Sequence, residues 1–241
     1  MSKVQKSLSD ETIHRNVNGG WLRPAVFGAM DGLVSNFALM IGVAGGSKAV
    51  GAENTSAIVL AGLAGLLAGA FSMAAGEYTS VKSQAELAIA EIELEKQEIK
   101  DNLELEISEL AQVWVNRGVT EPIAMQFSKE LSNNKDAFVN AHTSEEFGVT
   151  MDDLPSAKVA AISSFISFGA GALIPLLPYL FGFNELVYSL TISLLGLFAA
   201  GALVSLVTTR TWWYSGARQL LLGSGAAAVT WILGSLIGAA L

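Results

Sequence analysis

Five stretches of this chain are nearly free of charged side chains. They run roughly over residues 24–44, 57–80, 157–181, 186–207 and 218–241. Each is close to the run of about 20 apolar residues that crosses a bilayer as a helix. The first reads as a span rather than a cleaved leader, because it starts late, lacks a small-residue cleavage pattern and carries Asp31. Gly62, Gly65 and Gly69 recur at helical spacing in the second, which suits close helix packing. Pro175 and Pro178 fall in the third and are expected to kink or end it.

Residues 82–155 reverse the pattern. From Ser83 to Val115 there is no Pro or Gly, and good helix formers dominate. Leu87, Ala90, Leu94, Ile99, Leu103, Leu110 and Val113 recur with a roughly helical period, so one long helix is predicted, closed by Gly118. Thr120-Glu121-Pro122 opens a second, short helix, with Thr120 as cap and Pro122 in the first turn. Ser132-Asn133-Asn134 breaks it, and Lys135 to Phe147 forms a third, stopped at Gly148. The expected fold is an all-α membrane protein: five transmembrane helices with a cytoplasmic, three-helix, acidic metal-binding insert between helices 2 and 3. Its parts are a tail (1–23), helices 1 and 2 (24–81), the insert (82–155) and helices 3 to 5 (156–241).

Charge sharpens this division. Residues 82–153 hold 16 of the 22 acidic residues and 6 of the 14 basic ones, while the rest of the chain is slightly basic. So acidic a surface argues against nucleic acid or anionic lipid as a partner and suits cations. Lys3, Lys6, Arg15 and Arg23 precede the first span, Lys82 and Lys158 flank the insert, and Arg210 and Arg218 sit near the last connection. The loop after the first span has only Lys48, with Glu53, and the connection after the third has no basic residue. The positive-inside rule then puts the N-terminus and the insert in the cytoplasm and the C-terminus on the opposite side. The absence of Cys excludes thiolate metal sites and disulfides.

The candidate chemistry lies in carboxylates. Asp31 is the only ionisable side chain from Pro24 to Ala44. A charge at that depth costs roughly 2.5–3.5 kcal/mol or more, and such residues usually serve an ion path. Glu77 ends the apolar run of the second span, with Met73 one turn before it. Asn36 suits a helix–helix hydrogen bond. In the insert, Glu91, Glu95, Glu98 and Asp101 share one helix face, and Glu106 and Glu109 form a second pair. Along one straight helix, Glu98 and Glu109 lie roughly 16 Å apart and cannot share an ion. His142 and Glu146 are a turn apart on the third helix, and a compact site forms if that helix folds back on the first. Carboxylates with one imidazole favour Fe²⁺, Mn²⁺ or Zn²⁺. The same spacing also suits a solvated acidic face.

Asp31-Gly32-Leu33-Val34-Ser35-Asn36-Phe37-Ala38-Leu39 resembles the first-span signature of vacuolar iron transporters. Residues 69–84, running from Gly-Ala-Phe-Ser-Met through Gly-Glu-Tyr-Thr-Ser-Val-Lys, resemble the second-span signature. The acidic insert, Leu173-Ile174-Pro175-Leu176-Leu177-Pro178-Tyr179 and the five-span count extend the likeness over nearly the whole chain after the first 20 residues. The resemblance implies a homodimeric Fe²⁺/H⁺ antiporter whose pathway runs at the dimer interface between the first spans. It places Asp31 and Met73 in that pathway and Lys82 at its cytoplasmic end. It matches Glu98 and Asp101 to a first acidic pair, Glu109 to the first member of a second, and His142 and Glu146 to a Met/Glu pair. The chain departs from the pattern at Gly65, where some members carry glutamate, at Gln112, at Asp101 and at His142. Glu77 stands three turns beyond Gly65 and is placed to take over part of the missing role.

The expected function is therefore transport of Fe²⁺, and Mn²⁺ too, out of the cytoplasm against protons, with no enzymatic step and no tightly bound cofactor. The membrane is the plasma (inner) membrane in a prokaryote and the vacuolar membrane in a eukaryote. The alternative is a membrane-anchored, ferroxidase-like iron storage protein. That reading wants Glu-x-x-His motifs on paired helices, whereas His142 precedes its carboxylate.

Overall fold

The computed structural model describes residues 20–51, 54–150, 154–206 and 210–240, and among these every regular element is a helix. Lys3, Lys6, His14, Arg15, Glu53, Asp152 and Asp153 lie outside the described residues. Helix α1 (Leu22–Ala49) carries the first apolar run and ends at Val50 and Gly51. Helix α2 (Thr55–Asp101) starts where the Asn54 side chain accepts a hydrogen bond from the Ala57 N–H at 3.2 Å.

Helix α2 has 47 residues. At about 1.5 Å per residue it is about 70 Å long, more than twice the ~30 Å hydrocarbon core. Its apolar part, over residues 57–80, is long enough to cross a membrane, and residues 82–101 continue the same rod beyond it. The expected boundary after residue 81 is thus not a break in the backbone.

The break comes instead at Asn102, so the single helix expected from Ser83 to Val115 is two. Asn102 leaves the helical region (φ −143°, ψ 52°). Its N–H donates to the Glu98 carbonyl at 2.8 Å and closes α2, while its own carbonyl accepts from Leu105 and opens α3 (Leu103–Asn116). With α4 (Glu121–Leu131) and α5 (Lys135–Glu146), the insert is built from four helical segments rather than three. Packing explains the corner. Ile92 and Ile99 of α2 meet Ile107 and Leu110 of α3 and Phe138 and Val139 of α5 in one buried cluster. A straight helix would leave that apolar surface in water, and tertiary burial overrides local propensity. Pro122 lies in the first turn of α4, but Thr120 makes no side-chain capping bond. Asn134 does cap α5, accepting from the Ala137 N–H at 3.2 Å.

Pro175 and Pro178 do not end the third span. Helix α6 (Ala157–Leu173) passes through a 3₁₀ turn at Ile174–Leu176 into the short α7 (Leu177–Leu180), giving 24 residues in all. The irregular carbonyls find partners on neighbouring helices: Asn36 Nδ2 donates to Ala172 O at 2.6 Å and Ser189 Oγ to Pro175 O at 2.7 Å. Helix α8 (Leu186–Val204) is the fourth span. Helix α9 (Trp212–Ala240) starts before the expected residue 218 and takes Arg218 into its body. The five expected spans are present as five helices long and apolar enough to cross a membrane.

Helix α1 is the hub of the membrane half. Leu33, Phe37 and Ile41 pack with Leu197 of α8 and Ala227 of α9. Met40 and Ala44 pack with Ile58 of α2, Leu176 and Tyr179. Helices α1 and α6 cross so closely that a Cβ on Gly32 would strike the Phe168 carbonyl, and one on Gly171 the Ala29 carbonyl. Only glycine permits that approach, a common device where lipid offers no hydrophobic driving force between helices.

Candidate metal centre and membrane carboxylates

The corner at Asn102 turns α3 back along α2, and α5 packs against both. Three carboxylates from three helices therefore converge on one imidazole. His142 Nδ1 lies 3.0 Å from Glu95 Oε1, 3.7 Å from Glu106 Oε2 and 3.8 Å from Glu146 Oε1. Glu95, Glu106 and His142 are buried, at 3%, 5% and 1% exposure, while Glu146 stands at the rim. Phe138 packs edge-on against the imidazole at 4.7 Å between ring centres and fixes its orientation.

Glu106 shares a side-chain hydrogen bond with Glu95, but the imidazole can serve only part of this arrangement. One ring nitrogen carries at most one proton, so it serves at most one of three carboxylates. Among the described residues, Glu95 Oε1 has no aligned hydrogen bond despite its 3.0 Å distance to Nδ1, and His142 Nε2 has no hydrogen-bond partner. Among the described residues no Lys or Arg pairs with Glu95, Glu106 or Glu146. Lys82 binds Glu86 at 3.3 Å, Lys96 binds Glu93 at 2.6 Å and Arg117 binds Glu145. Buried charges are normally paired or bind metal.

The electrostatics follow. Burial, then Glu146, Glu106, Glu98 and Glu109, push the Glu95 carboxyl up to about 7. Burial, then Glu109, Glu98 and Glu146, also raise Glu106. Burial lowers His142, against the pull of the carboxylates, and so favours its neutral, ligating form. Glu95, His142 and Glu146 offer donor atoms within 4.8 Å of one another. A metal bonded to each at about 2.0–2.2 Å spans donors up to about 4.4 Å apart, so slight closure of the side chains is enough.

The expected insert residues are thus brought together in part. Glu106, His142 and Glu146 meet directly, and Glu98 and Glu109 act on the buried pair from the exposed rim. The estimate that Glu98 and Glu109 stand far apart along one helix fails because the helix turns at Asn102. Asp101 is exposed at the last position of α2 and is not among the charges that shift Glu95 or Glu106. Glu95 is absent from the expected ligands. Its signal was its position between Ile92 and Ile99, on the buried stripe of α2.

In the membrane half, Asp31 lies on an uncovered face of α1. Phe27, Asp31, Ser35 and Leu39, each one turn from the next, are all exposed in the single chain. Ser35 Oγ donates to the Asp31 carbonyl at 2.6 Å and leaves the carboxylate free. Gly62 lies against Met40, and Gly65 against Leu39 and Asn36, so α1 and α2 run antiparallel. Extending that register puts Met73 within about one turn of the level of Asp31. Met73 is half-buried against the Ala70, Phe168 and Ala172 cluster, and Glu77, half-buried, follows one turn later. Asn36 is 2% exposed, and its Oδ1, without a hydrogen bond, faces Gly65.

The comparisons agree with this architecture. A model of the VIT family matches residues 22–235. The chain is 32% identical over 224 residues to vacuolar iron transporter homolog 2 of Arabidopsis thaliana, covering 90% of this chain and 85% of that protein. It is 29% identical over 201 residues to vacuolar iron transporter 1 of the same plant, covering 82% and 78%. To the vacuolar iron transporter of Acanthamoeba castellanii it is 37% identical over 167 residues, 68% of this chain but only 58% of the length of that relative. Five apolar helices, an acidic helical insert after the second and a match over almost all of the chain together place this protein in the VIT family.

Proposed function

We propose that this protein transports Fe²⁺, and Mn²⁺ as well, out of the cytoplasm in exchange for protons. The observation that carries the reading is the anionic pocket of Glu95, Glu106 and Glu146 around a neutral His142, with which no Lys or Arg pairs among the described residues. The names of the relatives, vacuolar iron transporters, support iron as the cargo. The insert lies on the cytoplasmic side, where its acidic surface concentrates divalent cations at the mouth of the pathway. Glu95, His142 and Glu146 hold the ion first, with Glu106, Glu98 and Glu109 setting the field around it.

Asp31 then carries the ion across. The uncovered stripe through Asp31 and Ser35 is a costly surface to expose to lipid. A second copy of the chain, presenting the same stripe, encloses it and makes a two-fold pathway lined by both Asp31 carboxylates. A carboxylate there exchanges a metal ion for a proton. Met73 adds a soft thioether that favours transition metals over Mg²⁺ and Ca²⁺, and Glu77 and Lys82 flank the cytoplasmic entrance. The membrane is the vacuolar one in a eukaryotic cell and the inner one in a prokaryote.

Proteoliposomes with an imposed pH gradient test this. Fe²⁺ flux should follow the gradient and vanish with an uncoupler. Stoichiometric metal binding without flux would instead favour an iron-storing membrane protein.

A further inference from the structure

At the end of the membrane half opposite the insert, a polar cleft of about 420 Å³ opens between the end of α1, the start of α2 and the α7–α8 connection. Lys48, one residue before the end of α1, and Glu185, the residue before α8, both line it. Neither forms an ion pair among the described residues, and the Glu185 side chain does not cap α8. Asn54 and Asn184 add amides. Tyr179 lines the cleft while only 8% exposed. Its hydroxyl lies beside Ser189, whose own proton goes to the Pro175 carbonyl, and among the described residues it has no other hydrogen-bond partner.

The cleft does not end in protein. Leu186 and Trp231 line it and also line the top of an apolar groove of about 480 Å³ between α8 and α9. From Leu186 the groove follows Leu190 and Leu194, one helix turn at a time, over Phe37 and Ile41 of α1. That descent is about 12 Å, close to the ~15 Å depth of one leaflet. Trp231, amphipathic and 44% exposed, stands where the polar and apolar parts meet, the usual place of an interfacial tryptophan.

We propose that this cleft and groove hold one glycerophospholipid of the far leaflet, with a phosphate and a primary ammonium in its headgroup. Lys48 binds the phosphate, Glu185 and the two amides bind the ammonium, and the Tyr179 hydroxyl donates to a phosphate or ester oxygen. One acyl chain fills the groove along Leu186, Leu190 and Leu194. A free amine or inorganic phosphate matches one end only, and a bare hydrocarbon chain leaves the polar cleft lined by Lys48 and Glu185 unfilled. The occupant wedges α8 and α9 against α1, the helix that carries Asp31.

The test is native mass spectrometry of the full-length protein released from nanodiscs of equal parts phosphatidylethanolamine, phosphatidylcholine and phosphatidylglycerol. Wild type should retain one phosphatidylethanolamine per chain in preference to the other two, and inorganic phosphate or ethanolamine in excess should not displace it. Lys48→Gln with Glu185→Gln should reduce that adduct several-fold and abolish the headgroup preference. Leu190→Trp, which fills the groove without touching the headgroup cleft, should reduce it equally. Leu221→Trp, on the exposed face of α9 away from the groove, should leave it unchanged and controls for folding. Retention of all three lipids alike, or equal retention by every variant, would mean annular lipid only and would overturn the proposal. So would a change of oligomeric state in Leu190→Trp with lipid retention intact, because the groove would then be covered by a second copy.

Discussion

Glu95 and His142 come from helices separated by two others, yet the Glu95 carboxylate lies 3.0 Å from His142 Nδ1 with both side chains buried. The contact depends on the Asn102 corner, because only a chain that turns there brings α5 back against α2. It defines the centre of the acidic insert. Everything else in the cluster is arranged around a carboxylate held close to its protonated form and an imidazole held in its neutral form.

Glu95→Gln should separate metal binding from folding. The amide keeps the shape of the side chain and removes a buried charge that its neighbours oppose. The expected outcome is a loss of divalent-metal affinity of at least about tenfold, ~1.4 kcal/mol, with the metal-free protein at least as heat-stable as wild type near pH 8. Calorimetric titration and thermal unfolding of full-length protein in the presence of chelator check both. Unchanged affinity would show that Glu95 is not a ligand.

The pH dependence has a definite sign. Burial and the surrounding carboxylates raise Glu95 from 4.5 to about 7, so between those values the folded state holds a proton that the unfolded chain has lost. Stability of the metal-free insert should therefore fall as pH rises from about 4.5 to 7. The buried His142, lowered from 6.5, works in the opposite direction below that value and partly offsets it. Metal loading runs the other way, because ligands must be deprotonated to bind. Affinity should rise with pH through about 7 in wild type and lose much of that slope in Glu95→Gln. Titrations at several pH values decide the matter, and an equal slope in both proteins would remove Glu95 from the linkage.

Asp31→Asn should abolish Fe²⁺ flux in proteoliposomes while metal binding by the insert persists. Among the described residues the carboxylate makes no hydrogen bond that holds the fold, and the nearby Ser35 bonds to the Asp31 backbone carbonyl instead. Folding should accordingly survive, as judged by elution volume and melting temperature. Normal flux in this variant would defeat the pathway assignment.

The five spans were legible because length and apolarity suffice to recognise a membrane helix. Their internal details were not. The prolines at 175 and 178 read as a kink or an end, and the α-helix does give way there to a 3₁₀ turn; that the span then continues depends on hydrogen bonds from Asn36 and Ser189 that no local pattern reveals. In the insert, three- and four-residue spacing pairs Glu106 with Glu109 and His142 with Glu146, but does not show that the two pairs meet. The corner at Asn102 carries no Gly or Pro to mark it and is set by the burial of Ile92, Ile99, Ile107 and Phe138. Without the corner, Glu95 read as one more residue on an acidic face. A carboxylate flanked by Ile92 and Ile99 on a buried stripe was the available clue.

Met73→Leu distinguishes a ligand from a packing residue. Met73 is half-buried against Ala70, Phe168 and Ala172, an environment that leucine fills equally well. Such volume-conserving exchanges usually cost less than about 1.5 kcal/mol. The thioether, however, is the one soft donor proposed for the pathway, within about a turn of Asp31. The expected result is therefore a small change in melting temperature with a clear change in transport. Fe²⁺ flux should drop and its advantage over Mg²⁺ or Ca²⁺ should narrow, measured by competition in proteoliposomes. If stability falls while the metal ranking stays fixed, Met73 only packs, and selectivity must come from the carboxylates and from His142.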